Sequence, residues 1–177
     1  LVSSCVFKDN AGAFAADAEG SLSDLGSVIR GSRETAVAAT DRAKIRLSGT
    51  RIEGSRRHGV TLASGAEAVL NRVRITAGGG SGVSATGKAE LHGINLELRD
   101  NRSCAIELDN ASAFLASSLA NGNQCGVAFF GKGALQSNGG DFTGNARGAL
   151  LYSDRFKAGI FLRGTGNVPP DFQALFR

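Results

Sequence analysis

The sequence predicts an all-β fold: a parallel solenoid of about seven coils of 23 residues, with a short C-terminal cap. Three observations predict it. Apolar residues recur at a fixed spacing of 23 along most of the chain. Glycine is abundant and proline scarce, 25 against 2 in 177 residues, which suits repeated tight turns in a hydrogen-bonded ladder rather than disorder. Short segments such as Val60-Thr61-Leu62 and Ile106-Glu107-Leu108 alternate apolar and polar, the period of a half-buried strand.

The repeat holds four columns in step. The first reads Val6, Ile29, Ile52, Ile75, Leu98, Leu119, Phe142, and the second Phe14, Val37, Val60, Val83, Ile106, Val127, Leu150. The third reads Leu22, Ile45, Ala68, Leu91, Phe114, Leu135, and the fourth Ala16, Ala39, Leu62, Ala85, Leu108, Phe129, Tyr152. The first two columns share one short step of 21, which assigns two missing residues to a single gap between Ile106 and Leu119. A glycine or alanine precedes each member of the second column, from Ala13 to Ala149, and suggests a tight corner there. Turn-forming clusters such as Asn121-Gly122-Asn123 and Thr143-Gly144-Asn145 lie between columns. A unit of this size cannot bury its apolar side alone. Stacked on copies of itself, with equivalent strands about 4.8 Å apart, it can.

Composition excludes several classes. No apolar run approaches the roughly 20 residues of a membrane span. The net charge of +4 comes from 20 basic and 16 acidic residues that are interspersed, which does not argue for nucleic acid. Three cysteines without CxxC spacing match neither a zinc site nor a disulfide framework.

The segments Ile52 to Leu62, Leu119 to Phe129 and Phe142 to Tyr152 resemble coils of the right-handed parallel β-helix superfamily, the pectin-lyase-like solenoids. The resemblance covers roughly Val2 to Tyr152 and implies the right hand of the coil. It also implies a chemistry to look for, since enzymes of the superfamily act on acidic polysaccharides with clustered carboxylates, often with calcium, and an Arg or Lys base. Their signatures are missing. Both prolines lie in the tail, no Asp-Pro-His-Asp tetrapeptide occurs, and the histidines read Arg57-His58-Gly59 and Leu91-His92-Gly93 rather than Gly-His-Gly. One fold hosts many functions, so the architecture alone assigns none.

Candidate site residues lie outward beside the second column. Glu107 and Asp109, two apart on one strand, would project from one face as a carboxylate pair for calcium or for acid/base work. Thr61, Thr86 and Phe130 share that face and complete a candidate ligand surface, with Phe130 suited to a sugar ring. Arg99 is the basic partner in the catalytic version. Beside the first column, Arg74 falls over Glu97 and Arg30 over Glu53, either a salt-bridged soluble face or an Arg-lined groove for acidic glycans. Cys104 and Cys125 occupy equivalent positions on adjacent coils, compatible with a disulfide or with packed thiols. Cys5 has no evident partner, and His92 lies outward with no acidic neighbour in the pattern.

The organisation expected is coils over residues 1–157, and a last strand around Ile160-Phe161-Leu162 plus a capping segment over 158–177. Pro169 and Pro170 would stop the strand, and Asp171 would cap a closing helical turn bearing Phe172, Leu175 and Phe176. The first column is in register at Val6, so no N-terminal cap is visible, and we expect more protein before Leu1 or a partner over that end. The leading functional expectation is a noncatalytic glycan-binding or scaffolding module of a larger cell-envelope or secreted protein. It would use no cofactor, or at most calcium, and partner a polysaccharide or other domains of that protein, at the cell surface, outside the cell or in the periplasm. The alternatives are a lyase, epimerase or hydrolase acting on an acidic glycan, and an adhesin-like protein that stacks through its first coil.

Overall fold

The computed structural model describes residues 1–152 and 159–163. It is an all-β parallel solenoid. Each coil up to Asp109 supplies three strands, as in Lys44–Ser48, Arg51–Glu53 and Val60–Leu62, and in the next two coils the first two of these merge into one, Ser112–Asn121 and Ala134–Asp141. Equivalent strands pair in parallel with the coils above and below, so Lys44–Ser48 lies between Ser21–Leu25 and Glu67–Asn71. Three faces result, here termed the first, second and third in chain order. The third is a separate sheet running from Phe14–Ala16 to Leu150–Tyr152. The last described strand, Gly159–Arg163, pairs with Ala134 to Asn138 and includes the Ile160-Phe161-Leu162 segment. The proposed capping turn at Asp171 to Arg177 lies outside the described residues.

The second and fourth columns stand in register as the spacing predicts, from Phe14 to Leu150 and from Ala16 to Tyr152. Ile29, Ile45, Ile52, Ile75, Leu91, Leu98 and Ile106 are fully buried, each side chain contributing about 1.5–3 kcal/mol. The core is therefore a set of continuous aliphatic ladders along the axis.

The other two columns need correction. Phe7, not Val6, pairs with Ile29, and Val6 is 70% exposed. Ala120, not Leu119, pairs with Leu98. Ala113, not Phe114, pairs with Leu91, and Phe114 points outward. The physical reason is that residues are lost at corners, one at a time. Thr86 to Glu90 is a four-residue step containing two left-handed residues, Gly87 and Lys88. The next coil crosses from Asp109 to Ser112 in three, with Asn110 alone left-handed. The second loss falls between Asn121 and Cys125, where the preceding coil spends one more residue from Arg99 to Cys104. The first coil is likewise one residue short between Lys8 and Phe14, which displaces Val6.

The small residues before the second column have a cause other than a sharp turn. A Cβ on Gly59 would collide with the Ile75 side chain and lie 2.8 Å from the Gly82 carbonyl oxygen. A Cβ on Gly82 would lie 2.7 Å from the Ala105 oxygen. Close approach of neighbouring coils, not a positive φ, keeps these positions small.

Polar groups also enter the interior. Asp24 replaces the aliphatic residue carried at that inward position by Leu47 and Leu70. Its carboxylate accepts from Ser27 Oγ and Thr50 Oγ1, both at 2.5 Å. The corner after the second face carries Ser32, Ser55 and Gly78 in the upstream coils and Asn101, Asn123 and Asn145 downstream. Asn101 Nδ2 and backbone N–H both donate to Asn123 Oδ1, at 2.9 and 3.0 Å. Asn123 repeats both bonds to Asn145 at 3.0 Å, and donates to the Leu98 carbonyl at 2.9 Å. Ser32 Oγ and Ser55 Oγ are buried with no hydrogen-bond partner among the described residues.

Candidate functional site

The outward side of the third face brings together most of the residues singled out by the sequence. Thr61, Ser84 and Glu107 stand in one row across three coils, and Thr86, Asp109 and Phe130 in a second, two residues along. Alternation of the strand forces both rows outward. Thr61, Thr86, Glu107 and Asp109 are half-buried, whereas Phe130 is 46% exposed. Glu107 accepts a hydrogen bond from Ser103 Oγ at 2.5 Å, and Asp109 from Asn110 Nδ2 at 2.8 Å. The two carboxylates are thus each held by a neutral neighbour.

Arg99 does not join them. It lies on the second face, and its Nε contacts Glu97 Oε1 at 2.7 Å. The catalytic trio of Glu107, Asp109 and Arg99 is therefore split between two sheets, because the corner at residues 100–103 turns the chain between them. Glu97 is shared, since Arg74 Nε also reaches its Oε2 at 2.6 Å. Arg30 and Glu53 pair at 2.9 Å in the same manner. Each of these exposed pairs contributes at most about 1 kcal/mol.

His58 sits at the corner leading into the third face, one position before Gly59. Its Nδ1 accepts the Ser81 backbone N–H at 3.1 Å, which requires that nitrogen to be unprotonated. Burial lowers its pKa from the ordinary 6.5; the Glu107 charge opposes this and the Arg57 charge reinforces it. Further along the same corner, Cys104 and Cys125 form a disulfide between adjacent coils, with Cα atoms 4.4 Å apart. Cys5 is free and exposed. Among the described residues no group of three or more His, Cys, Asp or Glu side chains could hold a metal ion, so a calcium site at Glu107 and Asp109 would need ligands from elsewhere.

A second surface was hidden by the slipped column. On the first face, Val69, His92 and Phe114 stand in one outward row on successive coils, with Gln136 next. The His92 and Phe114 rings are stacked, centroids 5.0 Å apart and planes at 10°. Phe114 is 40% exposed, and Val69 and Ile94 add exposed apolar surface beside it. His92 does have an acidic neighbour: Glu90 Oε2 lies 3.7 Å from its Nε2. The signal for this row was present in the alternation Ala111, Ala113, Leu115, which already leaves Phe114 on the opposite side.

Among the described residues no helix is long and apolar enough to cross a membrane. Comparison with curated proteins and with solved structures gave no match. A family profile described as a right handed beta helix region matches residues 22–169, most of the chain and nearly all of its coils. The chain therefore belongs to the right-handed β-helix family.

Proposed function

We propose that this chain is a noncatalytic β-helix module that binds glycan on the outer faces of its sheets. The observation that carries this reading is the exposed His92 and Phe114 stack, set in a row with Val69 and Gln136 on a sheet that also presents Arg46 and Glu90. The two rings face each other along the stack and present their edges outward beside exposed Val69 and Ile94, an apolar strip against which a sugar ring can pack while flanking polar groups accept its hydroxyls. Exposed apolar patches rimmed by polar residues mark binding surfaces more often than chance exposure does. The Thr61, Thr86, Glu107, Asp109 and Phe130 surface on the third face is the second place where glycan would lie. A rigid stack of coils also suits a scaffold within a larger envelope or secreted protein.

Binding to immobilised polysaccharides, with a parallel assay for released product, tests the reading. Phe114→Ala should weaken retention several-fold, as expected for loss of one aromatic contact of about 0.5–1.5 kcal/mol. Phe130→Ala reports on the third face in the same way. Retention unchanged in both variants would sink the glycan reading. The enzymatic alternative is favoured by one observation, the electrostatic proximity of Glu107 to His58. It requires product formation that is lost in Glu107→Gln and in Asp109→Asn.

A further inference from the structure

At the corner between the first and second faces, Arg51, Arg72 and Arg74 line a groove of about 300 Å³ together with Gly49, Val73, Asn95 and Glu97. Three features coincide at this corner. Arg51 and Arg74 are paired in register on adjacent strands, so two like charges lie side by side. Such pairs disfavour the sheet unless an anion lies between them. The acid supply is also short. Glu97 already serves both Arg74 and Arg99, and neither Arg51 nor Arg72 has an acidic partner among the described residues. Finally, Arg72 is held at φ +52°, where the equivalent residues of the flanking coils are Gly49 at +67° and Asn95 at +52°. The left-handed region suits glycine and asparagine and is strained for arginine, so a long cation sits here where the flanking coils carry Gly49 and Asn95, as Arg42 and Lys88 do at other corners.

From this we infer that the groove of Arg51, Arg72 and Arg74 is a binding site for a phosphate group, either inorganic phosphate or a phosphate monoester. Three guanidinium groups against one carboxylate leave a surplus of two positive charges, which a phosphate dianion neutralises. Arg51 and Arg72 offer planar forks that bond phosphate oxygens in pairs, and exposed Asn95 adds an amide donor on the rim. The site does not rest on the glycan reading: it is argued from the arginines of this corner, which meets the edge of the Phe114 surface only where Asn95 follows Ile94.

Calorimetric titration of the full chain with inorganic phosphate and with glucose 6-phosphate tests it. Binding should weaken about tenfold in Arg51→Gln and stay unchanged in Arg56→Gln, an exposed arginine outside the groove. It should strengthen as pH rises through about 6 for the monoester and about a unit higher for inorganic phosphate, where each becomes a dianion. Arg72→Asn, which copies the neighbouring coil, should weaken binding while its Tm stays level or rises, a result that misfolding cannot mimic. Binding of the monoester alone identifies the source of the group and supports the site. Failure of both ligands to bind, or equal loss in Arg51→Gln and Arg56→Gln, overturns it.

Discussion

The upstream and downstream coils solve the same corner differently. Upstream, the inward position after the second face holds Ser32 and Ser55, whose hydroxyls are buried without partners among the described residues, and then Gly78. Downstream it holds Asn101, Asn123 and Asn145, joined into a continuous ladder that also captures backbone carbonyls. Upstream, the coils that begin at Ser21, Lys44 and Glu67 keep a uniform step of 23. The downstream coils step by 22, 22 and 25 residues. The disulfide also lies downstream. The upstream coils add isolated polar ties to their aliphatic register, Thr50 to Asp24 and the Ser81 backbone to His58, whereas the shortened downstream coils are joined by a continuous asparagine ladder and a disulfide.

That contrast can be broken most severely at Asn123. Replacing it with alanine strands the Leu98 carbonyl and the Asn101 donors, at about 1–3 kcal/mol for each buried group left unpaired. Urea unfolding of Asn123→Ala should show a loss of about 3–5 kcal/mol, with amide exchange quickened in the downstream coils first. Next in size is the disulfide. The Cys104→Ser, Cys125→Ser double variant should lose about 3 kcal/mol, as expected for a closed loop of this length. If it unfolds at the wild-type midpoint, the uneven coils need no covalent tie.

A smaller effect follows from His58. Burial holds its pKa below 6.5, so at lower pH the unfolded chain takes up a proton that the folded chain resists. The stability it contributes is full above 6.5 and declines as pH falls from there toward the folded-state pKa. The Tm of the wild type should drop between neutral pH and about pH 5, and His58→Gln should flatten that part of the profile. The smallest effect sharpens the opposite half of the comparison. Ser55→Ala removes only an unpartnered hydroxyl, and its unfolding midpoint should stay within about 0.5 kcal/mol of wild type or rise.

The fold was legible because its period is a property of spacing. The run from Phe14 to Leu150 could be counted along the chain, and every member lands in register. What spacing could not locate is where a coil loses a residue. Two single losses at different corners produce the same step of 21 in the third-face column as one loss of two. Only pairing separates them, and the error hid Phe114 inside the core. The candidate surface on the third face was readable because strand alternation is local. The split of Arg99 from Glu107 was not, since it depends on how the corner at residues 100–103 turns. Arg72 in a left-handed position was equally invisible, as nothing in its own residue type announces that geometry.

The bond between Cys104 and Cys125 encircles one full coil of the stack, with a sequence separation of 21. A protease cut anywhere between them leaves the two pieces joined, so fragmentation at that coil shows on a gel only after reduction. The same hoop would act under mechanical load. A chain pulled from its ends peels coil by coil, but these residues cannot extend, and the unravelled length falls short by about 70 Å until the bond is reduced.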